Sequence, residues 1–209
     1  MGYNPAKVNE FKSLLKNVLY TQKFNAFSVW NMDESGVTTV QKPIKIVSMK
    51  GKKQVSRVTS AEKGLTVTLL CCMSAAGQFV PPMFIFPRKR MAPGLMNGAP
   101  PGSVAAVSDS GWTDQNRFVD WLGHFIDFTK ASKDNPQLII LDGHNSHKTL
   151  AAVDKARDCG ITIITLPPHT THKLQPLDRT YFKPFKSYYN RAADNWICLL
   201  YTSPSPRDS

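Results

Sequence analysis

At 209 residues, 42% apolar and 20% charged, the chain can bury a full core as one large domain or two small ones, and wholesale disorder is excluded. Its net charge of +11, from 26 Lys and Arg against 15 Asp and Glu, favours a polyanionic partner, nucleic acid first, over a solvated basic surface with no partner. No apolar run approaches the ~20 residues that span a bilayer and no signal-peptide hydrophobic region opens the chain, so no membrane partner is expected.

Residues 9–19 set Phe11, Leu14, Leu15, Val18 and Leu19 at helical spacing, so residues 1–23 read as a helical segment ahead of the main domain. Residues 26–32 read as a buried strand ending at Asp33, with Glu34, Ser35 and Gly36 turning the chain. Residues 41–63 are polar and basic, and their short apolar pieces at 44–47 and 55–58 suit edge strands or a hairpin. The strongest strand covers 65–73, with its hairpin partner over 79–86. Residues 91–111 are rich in Pro and Gly and read as an irregular loop.

Thr113 or Asp114 can cap a helix running to about Lys130, with Phe118, Trp121, Leu122, Phe125 and Ile126 on one face. Residues 138–141 form a short, wholly apolar strand of the kind buried on both faces of a parallel sheet, and Asp142 ends it. A helix over 148–159 capped by Gly160, a strand over 161–166 and a last helix from Pro176 to about Asn195, kinked at Pro184, complete the order. This pattern predicts an α/β chain: a mixed sheet of antiparallel and parallel strands flanked by helices.

Residues 197–209 turn Ser/Pro-rich and are expected to be a non-native tail, of the kind a translated cloning adaptor leaves, or else a disordered one. Cys71 and Cys72 sit in an apolar run and read as small buried hydrophobes. With no C-x-x-C pair to build a zinc ribbon, a reducing compartment fits best.

Chemistry concentrates on three aspartates. Asp33 and Asp142 each end a predicted strand, where open sheets with parallel strands place their reactive crevice. If those strands are neighbours, the two carboxylates cannot both ionise cheaply without a cation. Hard oxygen ligands suit Mg²⁺ or Mn²⁺, and two such ions about 4 Å apart would clamp the oxygens of a phosphoryl displacement. Asp178, in the first turn of the last helix, is the candidate third ligand. Taken singly, each acid has a plainer role, Asp33 in a turn, Asp142 opening an Asx-turn and Asp178 as a helix N-terminal acid; the arrangement on ordered elements outweighs these.

The segments NMDESGVTTV (31–40), LDGHNSH (141–147) and LPPHTTHKLQPLD (166–178) resemble the three signature blocks of the DDE superfamily endonuclease domain, and within it the pogo, Tigger and Jerky branch. VPPMFIFPRKR (80–90) and GAPPG (98–102) are similar to the same family between the blocks. The likeness spans residues 24–196 and implies a ribonuclease-H-like fold there. It also implies a transposase catalytic domain that cleaves and transfers DNA strands with divalent metal, using water and then a 3′-hydroxyl as nucleophiles. The acidic triad falls on Asp33, Asp142 and Asp178. DNA as partner, a nuclear location, possible oligomers on DNA and no small-molecule substrate go with that reading. Helix-turn-helix domains that read transposon ends, and the continuation of the last helix, are expected to lie outside this polypeptide.

Arg88, Lys89, Arg90, Lys173, Arg179, Lys183 and Lys186 are the candidate DNA-backbone contacts, sequence-independent and salt-sensitive. His144, His147, His169 and His172 flank the second and third acids, where hydrogen bonding to the acids or contact with phosphate is expected over zinc binding. Asp142, Ser146 and His147 lie too close in sequence, and without a G-x-S-x-G elbow, to be a hydrolase triad. The rival from another class is a domesticated, non-catalytic DNA-binding or chromatin-associated protein. A general ribonuclease-H-like nuclease ranks below both.

Overall fold

In the computed structural model, which describes residues 4–40 and 64–202, β1 (Val29–Thr38), β2 (Thr66–Ser74) and β3 (Phe79–Pro87) form an antiparallel meander. To it are added β4 (Val104–Ser108), parallel to β3, and on the other side β5 (Gln137–Leu141) and β6 (Ile161–Thr165), each parallel to its inner neighbour. The sheet order is β4-β3-β2-β1-β5-β6. The helices are α1 (Pro5–Gln22), α2 (Gln115–Thr129), α3 (Leu150–Asp158), α4 (Thr171–Leu174), α5 (Pro176–Thr180) and α6 (Phe182–Thr202), with a 3-10 turn at Asn145–His147.

Alternation along the strands divides the core into two layers. Trp30, Met32, Leu70 and Cys72 point to one face, where they meet Phe118, Trp121 and Phe125 of α2 and Ala152 and Ala156 of α3. Val37, Leu69 and Cys71 point to the other, against Leu177 of α5 and Phe182 of α6. Ala152 and Ala156 are small enough to bring α3 close to the sheet. A full set of mixed pairings flanked by helices is thus what the sequence pattern predicts.

Several boundaries differ from expectation, each for a local reason. β1 does not turn after Asp33; it stays in register with β2 from Trp30 to Thr38. Gly36 is a strand residue there, paired with Thr68, and the close approach suits glycine, since a Cβ would stand 2.9 Å from Thr66 Cγ2. Within the expected loop over 91–111, residues 104–108 form β4, held by its ladder to β3 and not by any strong strand propensity of VAAVS. Asp114, not Thr113, caps α2: its side chain accepts from Arg117 N–H at 2.8 Å. The last helix is broken at Tyr181, since Pro184 has no N–H to give the carbonyl of Thr180. Helix α6 then runs to Thr202, through the expected start of the tail at residue 197. The expected edge strands at 44–47 and 55–58, the basic residues of 42–63 and the tail beyond 202 lie outside the described residues.

Candidate active site

Each acid is carried by a different element. Asp33 lies in the middle of β1, two residues beyond the last pair of β1 with β5, Asn31 with Ile140. There β5 ends, and Asp142 follows immediately. Asp178 occupies the first turn of α5 and is exposed. Across from Asp33 in β2 stands Cys71, at a β-bulge where the β2–β3 register shifts between Leu70 and Cys72.

The three charges are felt at Asp33. Burial is the main cause that raises its carboxyl from 3.8 to about 7, and the negative charges of Asp178 and then Asp142 add to it. The Glu34 N–H, donating to Asp33 Oδ1 at 2.8 Å, and a hydrogen bond from Gln175 work in the opposite direction. Burial and the charge of Asp33 also push the Cys71 thiol up to about 12, so it is a packing residue and no nucleophile.

Asp142 is held from the other layer of the sheet. Its Oδ1 accepts from His144 N–H at 3.2 Å, the anticipated Asx-turn, and faces His147 Nδ1 at 3.2 Å. His147 Nε2 reaches Glu34 Oε1 at 3.4 Å, and its ring packs on Phe118 with centroids 4.5 Å apart. Burial alone would hold this imidazole neutral; its bonds to the Asp142 and Glu34 carboxylates overcome that and carry its pKa to about 9. In return, the His147 hydrogen bond holds Asp142 below the ordinary carboxylate range. His147 is therefore where hydrogen bonding to the acids was expected. Glu34, read from sequence as a turn residue, is its second anchor.

A buried amide pair lies beneath the acids. Asn31 Nδ2 donates to Ile140 O at 2.9 Å and to Gln175 Oε1 at 2.6 Å; Asn31 Oδ1 accepts from Leu177 N–H at 3.1 Å. Gln175 Nε2 donates to Met32 O at 3.1 Å. These two residues were not singled out from sequence. Their only signal is proximity to acids in the chain, two residues before Asp33 and three before Asp178.

Among the described residues, no three His, Cys, Asp or Glu side chains form a closed group around one point. The charges of Asp178 and Asp142 thus act on Asp33 without the three acids forming such a group, which like charges alone would oppose. His169 and His172 are exposed, and no imidazole joins a zinc-type cluster among these residues.

Of the candidate DNA contacts, Arg88, Lys89 and Arg90 are exposed just after β3. Lys173 in α4, Arg179 in α5, and Lys183 and Lys186 in α6 are exposed as well. Tyr181 and Tyr189 are half-buried and, with Phe185, line an apolar groove of about 430 Å³ between α6 and the sheet. Tyr189 also donates to Thr38 O at 3.0 Å. Tyr181 and Tyr189 thus pack, whereas Tyr188 is exposed.

Residues 63–207 match the family model described as DDE superfamily endonuclease. The chain belongs to the DDE superfamily endonuclease family. Among solved structures, it is similar to the Mos1 transposase paired-end complex with left transposon end at 14% identity and TM-score 0.59, over 98% of this chain and 57% of that one. It is similar also to the Mos1 transposase catalytic domain with Raltegravir and Mg, at 11% identity and TM-score 0.53, over 98% and 87%. These likenesses are of fold, and they place the mixed sheet of this DDE-family chain with the ribonuclease-H-like catalytic domain. A curated relative, MFS-type transporter clz9 of Cochliobolus lunatus, is 32% identical over 176 residues, 81% of this chain but 19% of the relative. The chain therefore spans about a fifth of that relative and little over half of the Mos1 chain in the paired-end complex. No described helix is long and apolar enough to cross a membrane.

Proposed function

We propose that this chain is the catalytic core of a transposase, cleaving and transferring DNA strands with divalent metal held by Asp33, Asp142 and Asp178. The observation that carries this reading is that the charges of Asp178 and Asp142, which are distant from Asp33 in sequence, both raise the Asp33 pKa. The oxygen-only donor set and the mutual repulsion fit a hard divalent cation better than any other partner. Family membership and the metal-containing Mos1 catalytic domain support the same reading.

Two Mg²⁺ or Mn²⁺ ions bound there would supply Lewis-acid stabilisation of the attacking and leaving oxygens. The chain's own residues do the rest. Asp33 is held in the β1–β2 ladder opposite Cys71, and His147 with the His144 N–H fixes the orientation of Asp142. The seven exposed cations on α4, α5, α6 and the end of β3 would offset phosphate charge and orient the backbone, giving no sequence preference. Water serves as nucleophile for cleavage and a DNA 3′-hydroxyl for transfer. DNA as partner agrees with the transposon end bound in the Mos1 complex. The three signature segments further support the pogo, Tigger and Jerky branch, and work on chromosomal DNA implies a nuclear location.

The test is nicking of supercoiled plasmid in Mn²⁺ by the wild type and by Asp142→Asn. The wild type should nick, and the variant should lose at least ~100-fold in rate while still binding DNA. If both bind DNA and neither nicks, this reading fails and the chain is a DNA-binding protein only.

A further inference from the structure

Asn31 and Gln175 sit where the acid-bearing elements meet. Gln175 is fully buried and Asn31 nearly so, at 0% and 7% exposure. Between them they bond to β5 through Ile140 O, to β1 through Met32 O and to α5 through the Leu177 N–H. The Gln175 amide also lies close enough to the Asp33 carboxyl to lower its pKa. Asp33 follows Asn31 by two residues on the same face of β1, and Asp178 follows Gln175 by three. Any shift of the amide pair is therefore passed directly to both acids.

Helix α5 depends on this arrangement. It has five residues, too few to hold itself, and the side chain at its own N-cap makes no capping bond. Pro176 has no N–H, and the next donor, that of Leu177, is capped from across the fold by Asn31. An amide also has a property that Lys or Arg would lack here. It can sit beside Asp33 without adding positive charge, so the attraction of the site for a cation is kept.

We propose that Asn31 and Gln175 are positioning residues, a buried amide clamp that sets the separation of Asp33 and Asp178 for divalent-metal binding. The proposal rests on the reading of the three aspartates as metal ligands. The test is Mn²⁺ binding to the metal-free full chain, by titration calorimetry and by electron paramagnetic resonance of free Mn²⁺. Wild type, Asp33→Asn and Gln175→Met, which keeps the volume of Gln175 but loses its hydrogen bonds, are compared, with thermal unfolding of each in chelator.

Gln175→Met should bind Mn²⁺ at least ~10-fold more weakly while it remains folded. A purely structural role would lower its melting temperature and leave Mn²⁺ affinity unchanged, and that result overturns the clamp while the metal site stands. If the wild type binds no Mn²⁺, or Asp33→Asn binds it as well as the wild type, the metal site falls and the clamp with it. Should Gln175→Met fail to fold, Gln175→Asn, whose amide is drawn back by one methylene, carries the same expectations.

Discussion

Asp33 owes its high pKa to burial first and to neighbouring acids second, and this has a measurable consequence. Its folded-state value of about 7 lies above the unfolded 3.8, so its protonated form stabilises the fold at low pH, and that contribution is lost as pH rises toward and through 7. His147, raised from 6.5 to about 9, acts with the same sign in a higher window. Metal-free protein in chelator should therefore melt lower at pH 9 than at pH 5. Asp33→Asn should flatten the pH 4–7 part and melt about 3 °C or more above the wild type at pH 8; a lower melting temperature there contradicts the assignment. Replacing His147 with Asn should slow Mn²⁺-dependent nicking about 10–100-fold, because Asp142 loses its ring partner. An unchanged rate would make the His147 contact incidental. Of the three acids, Asp142 directly follows the end of β5 and Asp178 lies in the first turn of α5, as read from sequence, whereas Asp33 lies inside β1 and not at its end. Asn31, Gln175 and Glu34 were not legible as site residues, since their partners lie more than a hundred residues away in the chain.

At the scale of elements, local pattern served where an element is made by its own residues and failed where a neighbour makes it. The apolar run of β5 and the capped amphipathic face of α2 read correctly. The strand β4 was missed because VAAVS has little intrinsic preference and exists by pairing with β3. The continuation of β1 past Asp33 was missed because the acid, Glu34 and Gly36 look like a turn until β2 is laid beside them. Gly160 was read correctly for a reason that can be tested. It has φ +69°, and a Cβ there would stand 2.3 Å from Ser132 O. Gly160→Ala should cost about 2–4 kcal/mol in a denaturant titration, and a change under ~1 kcal/mol would show that the α3–β6 turn can relax.

Among the described residues, exposed cations stand both at the end of β3 and along α4–α6. Binding through phosphates alone should weaken with salt, each neutralised phosphate adding about 0.9 to the slope of log K against log salt. A double substitution of Lys183 and Lys186 by Ala should shallow that slope by about 2 and weaken binding to unrelated duplexes equally. A slope identical to the wild type would remove α6 from the DNA surface.

The capping of α5 by Asn31 also sets a timetable. That bond spans 146 residues, so on a ribosome the Asn31 side chain waits for its Leu177 partner until most of the described chain has emerged. Nothing made earlier can bring Asp178 to Asp33. A nascent chain that stops short of residue 178 accordingly carries Asp33 and Asp142 without Asp178, and on the proposed function the site is completed in one late step. Hydrogen exchange of the Leu177 amide should report that step, opening only with the sheet itself and not by fraying of a five-residue helix.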